Sequence, residues 1–149
     1  MAGPRQRVSS GAPWEALVGY SRAVRSGDFI AVSGTTAVGN DGKLIGEGDA
    51  YQQTVRCIEI IRAALQQAGA DLRHVIRTRI YVTDITLWQE IARAHQQAFD
   101  GVRPATSMVE VSRLIDPAML VEIEADAIVD DYGSSRVQVS ERPNSETPI

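Results

Sequence analysis

The sequence predicts an α+β domain of two layers, with two helices covering one face of a mixed sheet in the order ββαβαββ. Three observations carry this. Residues 120–129 alternate apolar and acidic side chains at strand period. Residues 49–69 carry an apolar stripe at helical period, and residues 86–101 carry a second. A strand-like run at 75–83 lies between them.

The first two strands are the short runs 20–24 and 29–33, split by Ser26-Gly27-Asp28, whose glycine and aspartate supply turn chemistry for a hairpin. Asn40-Asp41-Gly42 marks another turn. Asp49 caps the first helix, with Gln52 at capping-box spacing. Tyr51, Val55, Ile58, Ile61, Leu65 and Ala68 form its stripe, and Gly69 ends it in the position that favours a left-handed glycine. In the strand 75–83, Ile76, Thr78, Ile80 and Val82 are expected on one face, with Arg77, Arg79, Tyr81 and Thr83 on the other. Thr86 and Gln89 open the second helix, which sets Trp88, Ile91, His95 and Phe99 on one face and stops at Gly101. Residues 106–114 and 120–129 are the last two strands, either side of Asp116-Pro117.

In the final strand Val121, Ile123, Ala125, Ala127 and Val129 point one way, and Glu122, Glu124 and Asp126 the other. Helices can cover the apolar side, closing a two-layer domain. The acidic side also holds Leu120, Ile128 and Tyr81, with Arg77 and Arg79 from the middle strand if the faces align. That mixture suits a solvated face or a polar, ion-paired contact between subunits.

The chain has 149 residues, 44% hydrophobic and 23% charged, which fits one domain with a real core. Residues 1–15 and 132–149 read as polar tails around a single domain at 16–131. No apolar run is long enough for a bilayer, and no apolar segment follows Arg5 and Arg7 to make a signal peptide, so a cytoplasmic location is expected. Cys57 is the only cysteine and His74 and His95 the only histidines, which offers no metal-ligand set. The net charge of −4 and the lack of a basic stripe argue against a nucleic-acid partner.

Two separated motifs are more specific. Pro104-Ala105-Thr106-Ser107-Met108-Val109-Glu110-Val111 resembles the P-A-R-S-x-V-E-V signature of the Rid (YjgF) family, and Val121-Glu122-Ile123-Glu124-Ala125 resembles its V-E-I-E-A. Gly19-Tyr20 and Ser33-Gly34 match the family's hairpin, so the resemblance covers roughly residues 19–129. It implies a chorismate-mutase-like fold and a homotrimer whose sheets form a central barrel. It also implies small-molecule sites in clefts between subunits, and cofactor-free hydrolysis of 2-imino or enamine acids to keto acids and ammonia.

Carried over residue by residue, Glu122 matches the acid that positions or activates water, Tyr20 the cleft tyrosine, and Ser33-Gly34 the backbone beside the substrate. The family arginine that binds the substrate carboxylate is replaced by Thr106, next to Ser107. A guanidinium can give a carboxylate two parallel hydrogen bonds and a single hydroxyl cannot. In the second helix Ala92 and His95 stand where family members often carry Asn and Tyr. Each residue has a plainer reading as well. Glu122 can be an ion-pairing barrel residue, Tyr20 edge packing, Thr106 a good strand residue, and His95 a packed histidine. Arg103 is either a solvated loop cation or a displaced anion clamp, and Cys57 reads as a packed thiol. The expected function is a divergent hydrolase of imine, enamine or amide bonds that does not act on simple 2-imino acids. Its rivals are a non-catalytic ligand-binding or regulatory trimer and an endoribonuclease or translation inhibitor.

Overall fold

Residues 3–130 are described in the computed structural model of the chain. In chain order they form β1 (Gln6–Val8), α1 (Pro13–Val18), β2 (Ala23–Ser26), β3 (Phe29–Thr35), α2 (Ala50–Gln67), β4 (Val75–Val82), α3 (Trp88–Phe99), β5 (Ala105–Glu110) and β6 (Val121–Ile128). The six strands make one mixed sheet in the order β1-β2-β3-β6-β4-β5, with β4 and β5 parallel and the other pairs antiparallel. This is the two-layer, chorismate-mutase-like α+β arrangement that the sequence predicts. The polar C-terminal segment lies outside the described residues.

Local chemistry explains most boundaries. Ser26 pairs with Phe29 across a two-residue turn, and Gly27 takes a φ of 62° there, a value open to glycine in the turns that match strand twist. The Asp49 side chain accepts from Gln52 N at 3.0 Å and caps α2. At its other end Gly69 has φ 84°. Ala70 N donates to Leu65 O and Gly69 N to Gln66 O, the paired bonds of a Schellman motif. Along β6, Val121, Ile123, Ala125 and Ala127 are each buried to 1% exposure or less. They meet Cys57, Ile58, Ile61 and Leu65 of α2 in one core.

The structure departs from the sequence reading in five places. Part of the expected N-terminal tail is ordered: β1 extends the sheet beyond β2, and Pro13 starts the short helix α1. β2 begins at Ala23, leaving Tyr20 in the connection before it. A register shift between Val75 and Arg77 turns Val75 into the core and leaves Ile76 46% exposed. Asp84 rather than Thr86 caps the entry to α3, and Trp88 lies half exposed. β5 ends at Glu110, before the predicted strand end.

One buried polar residue ties the layers together. Gln53 is fully buried in the first turns of α2. Its Nε2 donates to Gly46 O at 3.1 Å and Ala118 O at 3.0 Å, and its Oε1 accepts from Leu120 N at 2.9 Å. Gln53→Leu keeps the volume roughly but strips partners from three backbone groups, each worth about 1–3 kcal/mol when left unsatisfied. We expect a stability loss of about 3 kcal/mol or more in denaturant unfolding at fixed protein concentration. A loss under about 1 kcal/mol would show that the three bonds are not needed.

Candidate functional site

The bulge in β3 builds the first group of site residues. The register of β3 on β6 shifts between Val32 and Thr35, so Ser33 and Gly34 occupy a widened step and Thr35 turns into the core. Glu122 of β6 lies directly over Gly34. A Cβ at position 34 would meet the Glu122 carboxylate, so a side chain there would have to displace the end of Glu122. Arg22 comes from the other side, its Nη2 donating to Gly34 O and its guanidinium standing 5.7 Å from the centre of the Tyr20 ring. Ser33 Oγ donates to Ser21 O at 2.7 Å, which locks the segment carrying Tyr20 and Arg22 against the bulge.

Arg22 is the residue that sequence reasoning missed. It is 8% exposed, and its Nε is buried without a hydrogen-bond partner. The available signal was a charged residue between Tyr20 and the apolar start of a strand. Burial pulls its pKa down, while Tyr20, Glu15 and Glu122 oppose that shift; a guanidinium in such company stays charged. Burial also pushes the Glu122 carboxyl above its ordinary value. The positive charge of Arg22 pulls it back, and Glu124 pushes it up.

A second group gathers at the sheet edge beside α3. Arg103, at the turn before β5, has the one positive φ (50°) of any non-glycine residue among those described. Thr106 and His95 help line a depression of about 480 Å³ whose rim also holds Arg103, Asp100 and Phe99. Thr106 Oγ1 lies 2.8 Å from Thr78 Oγ1, which lies 2.9 Å from His95 Nε2. Thr78 is fully buried behind the depression. Burial lowers the His95 pKa and favours a neutral imidazole, with the Phe99 ring centre 4.6 Å away.

The two groups do not meet within one chain. Thr106 pairs with Thr78 and shares the helix-covered face, whereas Glu122 pairs with Tyr81 on the open face. Two strand spacings and three residues of offset separate them, roughly 10 Å across the sheet and 10 Å along it. Ser107 pairs with Arg79 and faces the open side. There Arg79 Nη1 lies 3.2 Å from Asp126 and 3.6 Å from Glu124, and Tyr81 Oη donates to Glu124 at 2.7 Å. Phe29, Val109 and Ile128 remain 38–46% exposed. Cys57 is fully buried; burial and then the charge of Glu122 push its thiol far above the usual range, so it is no ready nucleophile. Among the described residues no three His, Cys, Asp or Glu side chains gather as a metal set, and no helix is long and apolar enough to cross a membrane.

Comparison with known proteins agrees with this architecture. The family model described as endoribonuclease L-PSP matches residues 10–129. The chain belongs to the YjgF/Rid family. An uncharacterized protein of Streptomyces coelicolor is 41% identical over 122 residues, covering 82% of this chain and 90% of the relative. A RutC family protein of Pyrococcus abyssi is 37% identical over 106 residues, covering 71% and 83%. Among solved structures, Rv2704 of Mycobacterium tuberculosis, a member of the YjgF/YER057c/UK114 family, matches with 53% identity and a TM-score of 0.77. That match covers 85% of this chain and all of the other.

The raised pKa of Glu122 has a stability consequence. The folded state holds the Glu122 proton more tightly than the unfolded chain does, so rising pH destabilises the fold between the ordinary glutamate value and the raised one. Glu122→Gln removes that term. The variant should be more resistant to denaturant than the wild type at pH 7, with the advantage vanishing below about pH 4. Parallel unfolding curves across that range, or a variant less stable at pH 7, would show that Arg22 outweighs burial at this carboxylate.

Proposed function

We propose that the chain assembles as a homotrimer in which Tyr20, Arg22, Ser33, Gly34 and Glu122 of one subunit face Arg103 and Thr106 of the next. The cleft between them would hydrolyse an imine, enamine or amide-type bond in a small molecule other than a simple 2-imino acid. One observation carries this reading: the matched site residues form two groups on opposite faces of one sheet, and only a second subunit can bring them together. The exposed Phe29, Val109 and Ile128 among ion-paired residues support the assembly, since this mixture suits a buried polar contact. The family supplies the trimer and the reaction class.

In this mechanism Glu122 accepts a proton from water as the oxygen attacks the carbon of the C=N bond. Glu122 returns that proton to nitrogen to give a carbinolamine, then takes the hydroxyl proton and passes it to nitrogen as well, so that the C–N bond breaks, ammonia leaves and the carbonyl forms. Arg22 holds the Gly34 carbonyl, and its charge opposes protonation of Glu122. Thr106 brings no charge to the position where the family binds a carboxylate, which disfavours simple 2-imino acids. The same loss favours a second reading, a trimer that binds a small molecule without turning it over. An RNA substrate suits neither the net charge of −4 nor a sheet face carrying Glu122, Glu124 and Asp126.

Sedimentation equilibrium at micromolar concentration should give three times the chain mass; a monomer there would refute the shared cleft. For activity, hydrogen bonds to a charged group are worth roughly 1.5–3 kcal/mol each. Each ~1.4 kcal/mol is about tenfold in kcat/KM. Turnover of 2-iminopropanoate should therefore fall a hundred- to ten-thousand-fold below that of an arginine-bearing relative. Thr106→Arg should restore part of it, and Thr106→Arg/Glu122→Gln should lose it again, in an amino-acid-oxidase-coupled assay. A silent Thr106→Arg in an intact trimer would favour the binding reading, and brisk wild-type turnover would assign the carboxylate to another cation such as Arg103.

A further inference from the structure

We infer that the depression beside α3 binds a neutral carboxamide-type group, and that His95, acting through Thr78, sets Thr106 to receive it. This rests on the proposed ligand cleft and names the group that its Thr106 side would accept.

Three side chains and one carbonyl form a hydrogen-bonded chain along which the protons can be counted. Thr106 Oγ1 makes two contacts, to Thr78 Oγ1 at 2.8 Å and to Pro104 O at 3.2 Å. A carbonyl oxygen only accepts, so the Thr106 hydroxyl proton points to Pro104. In that arrangement Thr78 donates to Thr106 and, with its one proton spent, accepts from His95 Nε2, 2.9 Å away. This direction goes with the neutral imidazole that carries its proton on Nε2. Thr78 is fully buried and has no other proton to give, so it copies the state of His95 to Thr106.

Thr106 is thereby left with a defined outward character. Its proton lies on an exposed carbonyl at 3.2 Å, long for an O–H···O bond, and a better acceptor can capture it. One lone pair receives Thr78 and the other is open. Thr106 therefore offers one donor and one acceptor side by side, the complement of the C=O and N–H of a carboxamide. A carboxylate has acceptors only; it would set an oxygen against the open lone pair and bring its charge to a rim shared with Asp100. Arg103 on the same rim balances Asp100, so the depression has no net charge to reward an anion. Phe99 and the His95 ring give it an apolar wall.

Acetamide and acetate, which match in shape and differ in charge and donors, test this on the full-length chain by two-dimensional NMR titration. Acetamide should shift the Thr106 amide and the His95 ring saturably, and acetate should bind roughly tenfold more weakly, as expected for the loss of one or two net hydrogen bonds. Thr106→Val, an exposed strand substitution, should abolish the acetamide response. His95→Gln, which keeps an N–H donor for Thr78, should retain it. His95→Leu, which removes that donor, should weaken it several-fold. Equal or tighter binding of acetate would overturn the inference, as would acetamide binding unchanged in His95→Leu, or an acetamide titration that leaves Thr106 and His95 unmoved. The titration reads a depression formed within one chain, so its result stands apart from assembly and from turnover at Glu122.

Discussion

β6 lies between β3 and β4, so both of its backbone edges are hydrogen bonded and its side chains have two directions open to them. Val121, Ile123, Ala125 and Ala127 enter the core under α2, and Glu122, Glu124 and Asp126 are forced onto the opposite face. A slip of one residue would place three carboxylates in an apolar interior, at a cost far above that of any single surface contact. The register of the central strand is therefore fixed by solvation, and the rest is placed relative to it. Glu122 meets the bulge of β3 because Ala125 is held opposite Val32 and Ile123 opposite Thr35. Arg79 meets Glu124 and Asp126 because β4 is held on the other edge. Those pairs are partly exposed in a single chain and contribute little there; excluding water by a second subunit would strengthen them.

How much of the fold is legible in the sequence depends on how regular each segment is. β6 repeats its two-residue pattern over eight positions, and α2 shows its cap, its stripe and its terminal glycine. Elements of that length state their own structure. β1 has three residues and α1 six, too few for any period to show, and β1 lies in a stretch that looks polar. Bulges are harder still, because a single extra residue reverses the parity of every later position in the strand. The shift beside Val75 exchanged Ile76 for Val75 in the core, and nothing in the local composition announces it. In α2 the apolar stripe located the helix, but its buried face also takes in Gln53, Thr54 and Cys57. Polar residues with partners far along the chain are invisible to a periodicity argument.

The site shows the same division. Glu122, Tyr20 and Gly34 were legible through family motifs, and the structure joins them around one bulge. Arg22 was not, because its role depends on Gly34, twelve residues further on and reached only after the hairpin folds. The link from His95 to Thr106 runs through Thr78, which on sequence is one more β-branched residue in a strand. Sequence reasoning identified Thr106 by what it lacks, a guanidinium. The fold adds what it possesses, a hydroxyl bonded from behind to the buried Thr78.

Buried polar residues in this domain fall into two kinds, separated by how fully their bonds are made. Gln53 has its two donor contacts and its acceptor contact inside the chain, and such a residue needs nothing more. Arg22 is nearly as buried, yet among the described residues its side chain has the one hydrogen bond to Gly34 O, and its Nε has none. Leaving a cation so poorly paired is expensive, and a fold selected for stability alone would have closed the gap or removed the charge. Glu122, held above its ordinary pKa beside that cation, carries the same kind of penalty. Thr106 stands between the two kinds: its inner bond to Thr78 is made, and its outer one to Pro104 is long. Among the described residues the unpartnered Arg22 Nε thus lies at the bulge, and the long outer bond of Thr106 at the edge of β5. In the proposed trimer Arg22 Nε would find its partner on a group arriving from outside the chain, and Thr106 Oγ1 a better acceptor than Pro104 O.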